Sequence, residues 1–349
     1  MKKTFFIALA SWMSLGAMAQ TQVTEFNPGL AANGVNYALP KTVLKVDVSA
    51  IQAVYTPGEF AKYADRYLHI SGVSQEPVTT WNVKTLDIYQ EGVPDTTKLF
   101  TVKLKDKTVA PMVQLTKSGI LVAVNTEVEA EERALPSSRT TNHKLNARQY
   151  LTEDILSATS TSKMAELTAQ EILDIRESKN SIKRGQVEAM PQDGASLKIV
   201  LDELNRQEEA LTQLFIGYTD TTFTTKSFTA MPTEDINKQV LFRFSRKLGF
   251  VDADDLAGDP YYLSVKDQHT VILPTEQEKA KRKIEGLVYN MPSMANVTIS
   301  TMQGVLYDQT LPFAQFGTID MLSPTLFNKG ATTKLTLHAA TGGIQHLEQ

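Results

Sequence analysis

Between residues 162 and 216 the apolar residues recur at helical spacing, whereas on either side they fall into short runs of strand type. A chain that changes period twice in this way needs both helices and sheets. In residues 162–179, Met164, Thr168, Ile172 and Ile175 share a face with Ala165 and Ala169. In residues 196–216, Leu197, Leu201, Leu204, Leu211 and Phe215 repeat at four, three, seven and four, a narrow stripe of coiled-coil type. Pro191-Gln192-Asp193-Gly194 marks a turn between them, so the pair reads as a helical hairpin. Glu208 interrupts the second stripe: an antiparallel partner helix would offer it Lys179 or Arg176, but a place at the rim of a narrow seam is the simpler reading.

Upstream, Val43 to Val48 is short, rich in branched residues and partly alternating, as a strand is. A short helix is expected next, with Thr56 as N-cap, Pro57 at the first helical position and Glu59 in a capping box. Phe60, Tyr63, Ala64 and Tyr67 would then share its buried face. Trp81 to Tyr89, Leu99 to Leu104, Met112 to Leu115 and Ile120 to Asn125 read as strands, the last two joined by a turn at Lys117-Ser118-Gly119.

Downstream of Gly217 come Val240 to Phe244, Tyr261 to Val265, Ile284 to Tyr289, Val297 to Thr301, Val305 to Leu311 and Lys334 to Leu337. Short strands at turn-marked intervals point to a β-sandwich-like domain, with one short charged helix at Thr275 to Lys283. The fold class is therefore α+β. The expected units are a leader (1–19), a loose N-terminus (20–39), a mixed β-rich domain (40–135), a linker (136–150), the helical hairpin (151–217) and an all-β domain (218–349).

The first residues have the pattern of a secretory signal: Lys2 and Lys3, an apolar stretch from Phe5 to Leu15, then Ala17-Met18-Ala19 before Gln20. That apolar stretch is shorter than the roughly 20 residues that span a bilayer. Cleavage after Ala19 removes Lys2 and Lys3 and moves the formal charge from −4 to −6. A chain with that charge and no long basic run gives no reason to expect nucleic acid as partner. It contains no cysteine, so disulfides, thiol nucleophiles, thiolate metal sites and a lipid anchor at the cleavage point are all excluded.

The nearest approach to a catalytic motif is Ser160-Thr161-Ser162-Lys163 at the start of the first long helix. A Ser-x-x-Lys pair puts an amine one turn from a hydroxyl, but the companion Ser-x-Asn and following Lys-Thr-Gly elements are missing. A helix cap at Ser162 is the simpler reading. Asp252, Asp254, Asp255 and Asp259 form the densest carboxylate cluster, a potential hard-cation loop. Leu256 and Ser264 break the helix–loop–helix calcium consensus there, which leaves an Asx-capped turn as the simpler account. The histidines, His69, His143, His269, His338 and His346, show no local metal spacing, and no cofactor motif is present. Tyr261, Tyr262, Tyr289, Tyr307, Phe313 and Phe316 could form a sugar platform, although strand aromatics usually pack inward.

Three phrases carry a resemblance. Tyr37 to Thr42 with Tyr55 to Ala61 is the first, Leu241 to Ser245 running into Val251 to Gly258 is the second, and Leu311 to Gly317 is the third. Together they resemble domain-of-unknown-function family 4831, exported proteins of Gram-negative Bacteroidales. The resemblance spans nearly the whole chain after the leader and carries no activity. It implies a periplasmic or cell-surface home. It also implies O-glycosylation at Asp-Thr-Thr sequences, here at Thr96 and Thr221, each expected beside a loop. The functional expectation is a non-enzymatic interaction or scaffolding module whose partner is an envelope protein or glycan. The alternative is a hydrolase or glycan-acting enzyme whose carboxylates meet only in the fold.

Overall fold

The computed structural model describes residues 22–25, 34–103, 113–129, 138–186, 193–275, 277–278, 284, 286–327 and 333–348. Along the chain run β1 (Gln22–Glu25), β2 (Val35–Thr56), α1 (Ala64–Leu68), β3 (Val78–Lys103), β4 (Val113–Leu115) and β5 (Leu121–Val124). Then follow β6 (Arg139–Thr141), α2 (Glu153–Leu156), α3 (Thr161–Lys183), α4 (Gly194–Ile216), β7 (Tyr218–Ala230), β8 (Ile236–Ser245) and β9 (Gly249–Val251). The last elements are β10 (Asp259–Asp267), β11 (Leu287–Thr301), β12 (Gly304–Leu322), β13 (Lys334–Leu337) and β14 (Ile344–Glu348). The fold is α+β. The expected leader, turn 191–192 and most of the expected helix 275–283 lie outside the described residues.

The strands form three sheets ordered β1-β3-β2-β7-β6, β12-β11-β10-β8-β9 and β14-β13-β5-β4. The first and second face each other as a sandwich. Leu44, Val46, Val48 and Ala50 of β2 pack there against Phe242, Phe244, Leu263, Val265, Val297 and Ile299. These residues alternate along their strands, as a half-buried sheet requires. The third sheet closes a separate core in which Tyr37, Leu39 and Phe100 meet Leu121, Val124, Val288, Leu335 and Leu337.

Strand β2 serves both cores by changing parity. Tyr37 and Leu39 face one, while Leu44 and its even-numbered successors face the other. The change falls at a register shift between Ala38 and Pro40, opposite the stretch of β3 between Pro94 and Leu99. An irregularity of this kind re-aims the side chains that follow it.

Residues on both sides of the expected boundary at 217 share one sheet, because β7 pairs antiparallel with β2 from Thr56↔Tyr218 to Leu44↔Ala230. Likewise β13 pairs with β5 through Leu335↔Val124 and Thr336↔Ala123. The layer facing β8–β12 in the sandwich is thus supplied mainly from residues 35–103 and 218–230.

The helical layer follows its periodicity. Ala165, Thr168, Ala169, Ile172 and Ile175 of α3 are buried, as are Leu211 and Phe215 of α4. Phe60, Ala64 and Leu68 pack into the same cluster. Two expected caps are corrected. Thr56 is not an N-cap: it is the last residue of β2, still paired with Tyr218, and helical turns begin only at Ala61. The intervening Pro57-Gly58 turn docks on the end of α4 instead, where Phe60 N–H donates to the Leu214 carbonyl at 2.7 Å. For α3 the cap is Ser160 rather than Ser162, with the Ser160 hydroxyl accepting from Lys163 N–H.

Glu208 meets both cations that the antiparallel geometry offers it. One oxygen accepts from Arg176 Nε at 2.6 Å and the other from Lys179 Nζ. Partial burial pushes the carboxyl pKa up, but Arg176 and Lys179 outweigh that and hold it below the ordinary glutamate value. A depressed folded-state pKa stabilises above the unfolded value, and the contribution is lost as pH falls through the folded one. The hairpin should therefore loosen only below about pH 4. Glu208→Gln should cost roughly 1–3 kcal/mol at neutral pH, discounted for the half-exposed Arg176. Urea unfolding followed by helical circular dichroism at pH 7 and pH 3 checks both, because the variant should lack the part of the wild type's acid sensitivity that Glu208 supplies.

Candidate functional site

Two clefts stand out among the described residues. The larger, about 530 Å³, lies where Thr56 to Glu59 and the 144–148 segment meet the end of α4 and Tyr218. Its floor is tied by Gln213, whose side chain accepts from Leu145 N–H and donates to the His143 carbonyl, both at 2.9 Å. Lys144 Nζ stands 5.9 Å from the Tyr218 ring centroid, Arg148 is on the rim, and Glu59 is the one carboxylate of the lining.

The smaller groove, about 190 Å³, opens at one end of the sandwich. Trp81, near the start of β3, lines it with Asn82, Arg246 after β8, Asp259 and Tyr261 on β10, and the Thr301–Gln303 turn. Trp81 N–H donates to the Arg246 carbonyl at 2.8 Å. Gly249 packs directly on the indole: it has φ +77°, and a β-carbon there would stand 2.9 Å from ring atoms Cδ2 and Cε2. Both the backbone conformation and the close approach call for glycine.

Tyr261 is fixed from behind by Phe242, with centroids 4.3 Å apart and planes 17° from parallel. Phe242 in turn stacks on Phe228 of the facing sheet at 4.6 Å. Burial pushes the Tyr261 hydroxyl pKa up, the nearby Asp259 carboxylate adds to this, and Arg246 works against it. Arg246 and Asp259 line the groove together with Tyr261.

The sequence-predicted candidates are placed as follows. Ser160 and Lys163 do not address each other's reactive atoms: the hydroxyl caps α3, and Lys163 Nζ pairs with Glu166 at 2.9 Å. In the acidic loop, Asp255 caps its own turn by accepting from Ala257 N–H at 2.8 Å. Arg243 holds that loop by donating to the Ala253 and Gly258 carbonyls at 2.8 and 3.0 Å. Among the described residues no three His, Asp or Glu side chains converge as a metal set. Phe313 and Phe316 are core residues, and Tyr289 donates to Asp320; of the six aromatic candidates only Tyr261 reaches the Trp81 groove.

Both Asp-Thr-Thr sequences lie within strands rather than beside loops. Asp95, buried, accepts from Thr97 N–H and Oγ1 at 3.0 and 2.7 Å and pairs with Lys41 at 3.2 Å, leaving Thr96 exposed where the β3 register shifts. Burial raises the Asp95 pKa, but Thr97 and Lys41 outweigh it and leave the carboxyl below the usual range. Thr221 is half-buried in β7, between Ala53 on one side and Thr141 on the other.

One cluster was missed at the sequence level. Ser293 Oγ donates to Asp267 at 2.7 Å, and His269 Nδ1 lies 3.0 Å from the other oxygen of the same carboxylate. In a hydrolytic triad the histidine stands between serine and carboxylate to take the hydroxyl proton. Here Asp267 stands in the middle and Ser293 is fully buried, so the cluster clamps the start of the β10–β11 connection. Each of the two clefts above carries a single carboxylate, whereas glycoside hydrolysis uses two facing ones.

The three phrases singled out in the sequence converge on packing. Thr42 N–H donates to Gln315 Oε1 at 3.0 Å, and Gln315 Nε2 donates to the Thr42 and Pro232 carbonyls, both at 2.8 Å. Phe242 and Arg243 of the second phrase supply the aromatic stack and the loop clamp. No helix among the described residues is long and apolar enough to cross a membrane. No curated protein and no solved structure matches the chain. The family model described as domain of unknown function (DUF4831) matches residues 33–345, and the chain belongs to that family.

Proposed function

We propose that this chain is an exported, non-enzymatic interaction module of the cell envelope, released by cleavage after Ala19. The observation that carries this reading is the end of the second sheet around Trp81. Leu248, Leu256 and Met302, on three separate turns there, are 60%, 84% and 78% exposed. Met302 lines the groove itself, and Leu248 and Leu256 lie on the connections that follow β8 and β9; single exposed apolar residues are ordinary, and it is their grouping on these connections that supports a contact surface. A photo-crosslinking residue at Met302 should capture one discrete envelope component that the same residue at exposed Lys198, on the helical hairpin, does not. Identical capture from both positions, or none from either, would overturn the proposal.

Export and modification share one measurement. The envelope form should begin at Gln20, and its intact mass should exceed that of unmodified residues 20–349. We assign the added mass to O-glycosylation of Thr96, the exposed member of the pair, before Thr221, which two neighbouring strands flank. A different N-terminus ends the export assignment, and an unmodified mass ends the glycosylation one.

A further inference from the structure

We propose that the Trp81 groove binds a neutral saccharide, one sugar ring at a time. This deepens the interaction reading above and rests on it. The groove joins residues from the ends of three strands, β3, β8 and β10, and the β11–β12 turn, yet its two aromatic walls are held before any ligand arrives. Gly249 backs the indole, the Arg246 carbonyl pins the Trp81 backbone, and Phe242 backs Tyr261. Walls held in advance lower the ordering cost of binding. An aromatic face is the negative part of the ring quadrupole, which suits the polarised C–H bonds on the flat side of a pyranose.

Polar groups around these walls are unspent. Among the described residues the Arg246 guanidinium, the Asp259 carboxylate, the Asn82 amide and the Trp81 indole N–H have no hydrogen-bond or ion-pair partner; all four residues line the groove. Guanidinium, amide and indole donate, carboxylate and amide oxygens accept, and a sugar hydroxyl does both. Hydrogen bonds to the two charged groups are the strong ones of the set. One cation balanced by one anion favours an uncharged ligand, because a phosphate or uronate would meet Asp259 without a second cation to offset it. At about 190 Å³ the groove is below the size range of drug-sized pockets and fits a single ring rather than a long segment.

The mature chain beginning at Gln20 has Trp81 as its single tryptophan, so its emission reports the groove directly. Titration with the methyl glycosides of glucose, galactose, mannose and N-acetylglucosamine should give a saturable change with at least one of them, at about millimolar Kd. Glucuronate and adenosine should bind at least tenfold more weakly. Arg246→Met and Asp259→Asn should each weaken the preferred sugar at least tenfold. Both side chains are exposed, so the urea midpoint should be unchanged. The inference is overturned if no neutral glycoside saturates, if glucuronate or adenosine binds as well, or if both variants keep full affinity. Discrete crosslinking at Met302 with no saccharide response would remove the sugar assignment and leave the interaction reading standing; loss of both would remove both.

Discussion

Replacing Gln315 with alanine should destabilise the protein by about 3–5 kcal/mol, one of the largest effects expected of any single polar substitution here. The reason lies in where β7 stops. Its pairing with β2 ends at Leu44, so Thr42, two residues further along the same edge, has no strand beside it. The Gln315 carboxamide takes the place of the missing peptide group, accepting from Thr42 N–H and donating to the Thr42 carbonyl. It also donates to the Pro232 carbonyl, just past the end of β7. The Thr42 side chain completes the joint, donating to the Ala340 carbonyl and accepting from Ala314 N–H, both at 3.0 Å. Alanine at 315 would strand three backbone groups beside a fully buried residue. Gln315→Glu sharpens the test. It keeps the acceptor and loses the donors, and it sets an anion against two carbonyl oxygens, so its pKa must rise on folding. A raised carboxyl pKa makes the deficit shrink as pH falls, so Gln315→Glu should recover between pH 7 and pH 4.5 while Gln315→Ala does not. Urea midpoints measure this, and a loss below about 1 kcal/mol for alanine would refute the account.

Phe242→Ala should cost about 4–5 kcal/mol. Phe242 is 2% exposed and is the middle ring of a stack that runs from Phe228 in one sheet to Tyr261 in the other. Large-to-small changes in a core leave a cavity as well as losing transfer energy. The two ring contacts add to that. Because Phe242 is the backing of Tyr261, the variant should also lose the fluorescence response of the groove under conditions where it is still folded. Phe242→Leu retains most of the buried volume and should cost less than half as much. A melting temperature for Phe242→Ala within 2 °C of wild type would contradict this reading, since a loss of this size in a chain of this length shifts Tm by several degrees.

What the sequence made legible follows from the range over which each signal acts. The helical hairpin was readable because its stripe repeats within each helix, whereas the Glu208 pairing with Arg176 and Lys179 was only the second of two readings, a rim position being the simpler. Strand lengths were less readable. Gly92 and Pro94 look like breakers, yet β3 runs through both. The Ala339 carbonyl would stand 2.0 Å from a β-carbon at Gly92, so the glycine serves a close approach from 247 residues away rather than a turn. Pro94 lies directly opposite Pro40, beside the register shift, where a missing N–H is tolerated. The expected cap at Thr56 failed for a related reason: its backbone is claimed by Tyr218. The Trp81 groove was invisible because its residues come from positions 81–83, 244–246, 259–261 and 301–303, which no local pattern connects. The one available signal was a lone tryptophan in a strand of threonines and asparagine.

The sharing of sheets between distant segments has a consequence for synthesis. Strand β2 is made more than 160 residues before its neighbour β7, and β5 more than 200 residues before its neighbour β13. Neither sandwich nor third sheet can close before then, and pairings over such separations form slowly. Closure of these sheets is therefore a late, non-local event, whereas the β2–β3 pairing and the helical hairpin join elements that are neighbours in sequence.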